Sequence, residues 1–475
     1  MAILAIDQGT SGTKAIVVDD SGILAVAERE IRPRYSAGGA VEQDPQELLL
    51  SVLDSAHEAV DRAGVTLEAV ALANQGETVL AWDPETGDPL TTAISWQDRR
   101  AESVCAELAE HADEIHRKTA LKLDPYFTAP KMTWLRRNLT REGVVTTTDT
   151  WLVHQLTGEF VTDTSTASRS LLLDIDRVAW DESLLEIFEL TGERLPRLVS
   201  SDEIVGMTTE FGSPVPVAGL IVDQQAALLA EECLERGTAK CTYGTGAFLL
   251  VNMGDVAPRL DNGLTTSVAW TLRGQTTYCA DGQVYTAASA VRWLCDLGII
   301  SSAADLDTIA AESSDGVLCA PSFAGLAAPW WRPDAGAFLT GMTLSTGRPE
   351  IVRAVLEGIS AQVAELAALA TEELGQPLLR LRVDGGLTRS RTLMQSQADL
   401  LQAPIDIFSS GHATALGAAA AARLALDPDL DVADAPLPWT PAHTYRPRMS
   451  AAEAEKFRKQ WRTAVEANLV AKEDR

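Results

Sequence analysis

The chain has 475 residues, more than a single hydrophobic core usually serves, so two domains with a ligand cleft between them are expected. Its apolar fraction of 46% fits a folded soluble protein, while its formal charge of −28 disfavours nucleic acid and anionic lipid, which demand dense cationic surfaces. The expected partner is a small molecule, with no nucleic acid and no membrane. Cys105, Cys233, Cys241, Cys279, Cys295 and Cys319 are widely spaced, which predicts free thiols in a reducing cytoplasm and neither disulfides nor a zinc site. No signal-like opening and no run of 18 apolar residues is found, so a cytoplasmic location is expected.

In chain order, the apolar runs 3–6 and 15–18 flank a polar, glycine-rich stretch and predict strand, tight turn, strand. Asp44 as N-cap, Pro45 at the first helical position and Glu47 at the third open a helix ending near Gly64. Leu48, Val52, Ala56 and Val60 form its inward face. A strand follows over 69–73. The apolar run 217–222 ends at Asp223, and residues 241–251 then repeat the opening design around Gly244, Thr245 and Gly246, the mark of an internal duplication.

Downstream, a helix from Pro349 carries Ile351, Val352, Val355, Leu356, Ile359 and Val363 inward, followed by a strand over 379–383 and a helix over 391–401. The alanine-rich segment 413–422 is too short to span a bilayer. Phe457, Trp461, Val465 and Leu469 recur every fourth position, as in a packing terminal helix. Interleaved strands and helices give the α/β class, and the repeat places the division near 233, with domains 1–233 and 234–475.

Asp7, the turn Gly9, Thr10, Ser11, Gly12, and Lys14 together offer a carboxylate, a donor-rich loop and a cation. Those parts suit phosphate with a hard metal ion, and equally an unliganded hairpin. The second turn at Gly244–Gly246 favours phosphate, because two facing turns on duplicated strand pairs can grip one triphosphate. Neither GxxxxGK[ST] nor a protein-kinase glycine loop is present. The arrangement is similar to the actin, hexokinase and heat-shock chaperone superfold, two ribonuclease H-like domains with an interdomain active-site cleft.

Two longer patterns carry a more specific resemblance. Residues 126–138, from Tyr126 through Lys131 and Trp134 to Asn138, and residues 337–357, from Ala337 through Gly341 to Glu357, resemble the signatures of the FGGY carbohydrate kinases. With the opening turn, Asp223 to Ala227, Tyr243 to Phe248 and Val383 to Gly386, the resemblance runs in family order from residue 3 to about 425. It implies ATP-dependent phosphorylation of a hydroxyl of a small polyol or sugar, with Mg²⁺. Asp223, by itself either a helix cap or a proton acceptor, becomes the catalytic base.

By resemblance to the glycerol kinases of this family, Glu77, Tyr126, Asp223 and Gln224 bind substrate hydroxyls, and Trp96 and Phe248 wall the carbon chain, unless those two merely pack. The same resemblance assigns Thr10, Ser11, Lys14 and Thr245 to the nucleotide phosphates, Gly386 and Ser390 to the adenine side, and Asp7 to the metal through water. Gly386 would look identical in a plain turn. A homodimer or homotetramer is the family habit.

One departure is informative. Glycerol kinases carry arginine where this chain has Gly76, so a substrate other than glycerol is expected, such as erythritol or threitol, with the extra carbon in the vacated volume. Ser390, Ala288 and Arg292 also depart from the family's nucleotide side. A genuine glycerol kinase and a non-catalytic ATP- and sugar-binding sensor are the alternatives. Retention of both Asp7 and Asp223 argues against the sensor.

Overall fold

Residues 1–473 are described in a computed structural model. Strand β1 (Ile3–Gln8) runs antiparallel to β2 (Gly12–Asp19), and β2 to β3 (Gly22–Glu30). Helix α1 (Pro45–Ala63) starts as expected, with Asp44 Oδ1 accepting from the Gln46 amide at 2.9 Å, and stops at Gly64, which takes φ 62°. Strands β4 (Ala69–Asn74) and β5 (Val215–Val222) then join β1 in parallel. An edge strand, Ile204–Thr208, completes the sheet in the order edge, β5, β4, β1, β2, β3.

The opening strand is continuously apolar because both sheet faces are covered. Leu4 and Ile6 pack with Leu48, Val52 and Ala56 of α1, whereas Ile3 and Ala5 pack on the opposite face. That opposite face is covered by α2 (Asp223–Ala230), which begins at the residue after β5 ends.

The second sheet repeats the plan. Strands β6 (Ala239–Tyr243), β7 (Ala247–Gly254), β8 (Thr265–Leu272) and β9 (Gln275–Val284) are followed by helix α3 (Ala288–Asp296). Next come α4 (Arg348–Leu374), β10 (Leu381–Asp384), α5 (Arg391–Leu401) and β11 (Ile405–Ile407). The sheet order contains β9, β7, β6, β10, β11, with β6, β10 and β11 parallel, as β3, β2, β1, β4, β5 run in the first sheet. The duplication expected from the two turns is therefore a duplicated topology. Strand β10 begins two residues later than its apolar run, because Leu379 is exposed before the pairing starts.

Helix α4 is long and apolar enough to cross a membrane, with mean hydropathy 1.3 over its apolar window, which the run-length reading missed. That window is 83% buried inside the fold, and α4 packs in the core of the second half. Helix α6 (Ala413–Leu426) departs from a simple cut at 233. It follows the second sheet in sequence yet packs with α2 and Ile3, Ala5, Ala71 and Ala73 of the first. A Cβ built on Gly417 would overlap the Ala226 carbonyl, so the alanine-rich face lets the two helices touch backbone to backbone. Helix α7 (Ala451–Glu473) closes the chain, its Trp461 indole donating to the Cys319 carbonyl at 2.7 Å.

Candidate active site

Register brings the functional ends of the strands together. Gln8 of β1 lies beside Asn74 of β4, which lies beside Val222 of β5, so Gly9, Gln75 and Asp223 leave the sheet at one level. In the second half Thr242 of β6 pairs with Asp384 of β10. These are the carboxyl ends of parallel strands, the usual place for a ligand in open α/β sheets.

A cavity of about 320 Å³ lies between the halves. Gly76, Glu77, Trp96, Tyr126, Asp223, Gln224 and Phe248, all expected to meet substrate, line it, together with Thr10, Ser11 and Thr245 from the phosphate turns. Tyr35, Gln97, Tyr285 and Arg292 line it as well. The rings of Tyr126 and Phe248 stand edge-on to Trp96, at 5.6 and 6.3 Å between centroids. A five-stranded antiparallel sheet (Arg34–Ser36, Ala40–Gln43, Ala93–Ile94, Val79–Trp82, Val144–Thr147) delivers Trp96, whose indole donates to Thr10 Oγ1 at 2.8 Å.

The turns are built for close approach. The Gly9 amide donates to the Gly12 carbonyl, and the Gly244 amide to that of Gly246, each at 2.9 Å. A Cβ on Gly12 would stand 2.6 Å from the Arg29 carbonyl oxygen, so no side chain fits between β2 and β3 there. Gly385 takes φ 95° against the Tyr243 backbone, whereas Gly386 has nothing within 4 Å of where a Cβ would be. The first glycine makes the turn and the second leaves an open flat surface.

Ser390 is placed differently from expectation. It caps α5 by accepting from the Leu393 amide at 3.2 Å, and its hydroxyl donates to Asp307 at 3.0 Å. This buried hydroxyl spends its one proton on Asp307, so it has none to donate to a nucleotide. Gly76 also corrects a premise: its α-carbon does not open onto empty space, because a Cβ there would sit 3.1 Å from Val222 Cγ2 and 3.8 Å from Arg169 Cδ.

Four acidic groups feel one another's charge near the strand ends, and of these Asp223 lines the cavity. Burial, and then the charge of Asp223, push the Asp7 carboxyl up to about 7, against the pull of Lys14 directly across the β1–β2 ladder. Asp223 is raised by burial and held down by Lys240 and by the Gln224 amide, which donates to its Oδ1 at 2.7 Å. Burial raises Asp384, whose Oδ1 has no hydrogen-bond partner. Glu231 lies well above the carboxylate range through burial and Asp384.

Several contributors were missed in the sequence. Lys240, fully buried on β6, donates to Gln224 Oε1 at 2.6 Å and to Thr242 Oγ1 at 2.8 Å. Lys131 donates to the carbonyls of Pro125, Tyr126 and Phe127 at 2.9, 2.6 and 2.6 Å, fixing the segment that presents the Tyr126 ring. Arg169 donates to Glu77, to Asp281 at 2.8 Å and to the Tyr126 hydroxyl at 3.2 Å. A usable signal existed: a lone cation inside an apolar or small-residue run is rarely buried unless it is paired.

Two family models match the chain, the N-terminal domain of the FGGY family of carbohydrate kinases over residues 2–230 and its C-terminal domain over 239–426. A glycerol kinase of Alkalilimnicola ehrlichii is 42% identical over 98% of this chain and 97% of its own. That of Thermus brockianus is 40% identical over 98% of each. Among solved structures, Plasmodium falciparum glycerol kinase with ADP superposes with a TM-score of 0.91 at 32% identity, covering 98% of both chains. A Lactobacillus acidophilus xylulose kinase shares the fold, with a TM-score of 0.89 at 21% identity over 99% and 98% of the two chains.

Proposed function

The chain belongs to the FGGY family of carbohydrate kinases and is a glycerol kinase-like, ATP-dependent sugar or polyol kinase, and from that premise we propose that its acceptor is a short polyol of four carbons, erythritol or threitol. The observation that carries the polyol reading is the set of seven expected substrate residues around one interdomain cavity. Glu77, Tyr126, Asp223 and Gln224 offer hydroxyl partners, and Trp96 and Phe248 offer apolar planes for the C–H faces.

Gly76 supports an acceptor other than glycerol through the contact it lacks, not through vacated volume. An arginine contact to a substrate oxygen contributes roughly 1.5 to 3 kcal/mol, and no side chain supplies it from position 76. Glycerol is the second reading, favoured by the full-length similarity to glycerol kinases.

In the proposed reaction the acceptor hydroxyl oxygen bonds to the γ-phosphorus of ATP as the bond to the ADP oxygen breaks, and the hydroxyl proton passes to Asp223. Thr10, Ser11, Lys14 and Thr245 hold the phosphates, and Gly386 lies under the adenine. Asp7 and Asp384 fit Mg²⁺: both are hard oxygen donors, Asp7 is pushed up to about 7, and Asp384 keeps one buried oxygen unpartnered. Among the described residues no three His, Cys, Asp or Glu side chains converge as a metal cage. Mg²⁺ there would neutralise charge on the transferred phosphoryl group.

The test is ADP release over glycerol, erythritol, D- and L-threitol, pentitols, ketopentoses and gluconate with Mg·ATP. A tetritol with the highest kcat/KM is expected. A win for glycerol selects the second reading, and silence across the panel overturns the polyol reading.

A further inference from the structure

Arg169 lies outside every assigned role, yet its guanidinium is at the centre of the substrate wall. The side chain is buried, its Cδ and Nε each 3.8 Å from where a Cβ on Gly76 would be, and the guanidinium carbon stands 5.5 Å from the centroid of the Tyr126 ring. Its Nε donates to Glu77 Oε1, one Nη to the Tyr126 hydroxyl at 3.2 Å, and the other Nη to Asp281 of β9 at 2.8 Å. Glu77 itself takes φ 58°, a left-handed conformation uncommon for a non-glycine residue, which marks a backbone held for a purpose.

A guanidinium has no acceptor and does not lose its proton, so it imposes direction on its neighbours. The Tyr126 oxygen accepts from Arg169, which leaves its own O–H free to donate elsewhere. Glu77 receives charge on one oxygen and keeps the other as an acceptor. We infer that Arg169 is a positioning residue that fixes the polarity of the substrate wall, holding Glu77 as the acceptor and the Tyr126 phenol as the donor for two hydroxyls of the polyol. The inference rests on the polyol kinase reading but not on the number of carbons.

The charges facing Glu77 make this testable. Burial raises its carboxyl, Arg169 and Lys131 pull it down, and Asp223 pushes it up. Without Arg169 the carboxyl moves higher, and once protonated it loses its charge and turns one oxygen into a donor, so it is a weaker acceptor for the polyol. In the wild type, KM for the polyol rises as pH falls through the Glu77 ionisation. In Arg169→Met that limb moves to higher pH, and KM at pH 7 rises about tenfold or more while kcat at saturating polyol stays within about threefold.

The experiment measures kcat and KM from pH 6 to 9 for wild type, Arg169→Met and Arg169→Lys, on the polyol that the wild type turns over best. Arg169→Lys keeps the cation and the fold, so the pH limb stays near its wild-type position while KM rises a fewfold for the lost Tyr126 bond. An unchanged KM profile in Arg169→Lys and Arg169→Met, or a fall in kcat with KM untouched, overturns the inference while leaving the kinase reading standing. Should Arg169→Met give no folded protein, the Lys variant decides by the same criteria. A wild type silent on every polyol overturns both.

Discussion

The Trp96 indole nitrogen donates to Thr10 Oγ1 at 2.8 Å, joining the aromatic wall of the interdomain cavity to the first glycine-rich turn. Thr10 is held from its other side by Gln43, whose amide donates to the Thr10 carbonyl at 2.8 Å. The bond couples two sites that the sequence places 86 residues apart. Trp96→Phe keeps the plane and removes the donor, so kcat/KM is expected to fall roughly fivefold for both ATP and polyol, the worth of about 1 kcal/mol. Bisubstrate kinetics read it: a change confined to the polyol would show that the two sites are not coupled through this bond.

The pH dependence of the chemical step should follow Asp223. A base must be ionised, and burial raises this carboxyl above the ordinary aspartate value, so kcat/KM at saturating Mg²⁺ declines as pH falls through that raised ionisation. Asp223→Asn should lower kcat about a hundredfold or more with ATP binding retained by calorimetry. Lys240 is the largest charge opposing the rise. Lys240→Met therefore shifts the acid limb to higher pH, and the two enzymes converge at alkaline pH, where both carboxylates are ionised. A limb that stays in place would remove Lys240 from the tuning of the base.

The duplicated strands, the turns and α1 were legible because each is local: a periodic apolar run, a cap at a fixed offset, or a glycine-rich turn at a strand end; that the expected substrate residues line one cavity followed from the family resemblance. What escaped was set by distant chain. Ser390 reads as a nucleotide contact after the two glycines, but Asp307 across the fold engages its hydroxyl. Arg169 meets partners 92, 43 and 112 residues away, and no spacing announces them. The membership of α6 was hidden for the same reason, since its alanines pack on strands from the other end of the chain.

That packing gives a prediction of its own. Ala226, whose carbonyl meets Gly417, sits one turn beyond Asp223 on α2, so the α2–α6 crossing sets where the base stands. Gly417→Ala pushes the helices apart at a cost of about 1 to 3 kcal/mol. It is expected to lower Tm by several degrees and to reduce kcat more than KM for ATP. A melting scan paired with kinetics checks it, and full kcat at wild-type Tm would mean the crossing absorbs the methyl.

The replacement of arginine by Gly76 cannot be reversed by one substitution. A Cβ at 76 meets Val222 Cγ2 at 3.1 Å, tighter than ordinary contact, and Val222 is itself buried against the start of α2. Gly76→Arg alone must move Val222 and with it Asp223, the next residue, so it should lose activity on every polyol. Val222→Ala removes the methyl and relieves the crowding, and the double variant should recover turnover and favour glycerol over tetritols by about tenfold relative to the parent, as expected for a regained charge-assisted hydrogen bond. A double-mutant cycle on kcat/KM measures the coupling. Additive effects would show that Val222 and position 76 do not share the same space, and a double variant that recovers without gaining on glycerol would show that acceptor length is set elsewhere in the cavity.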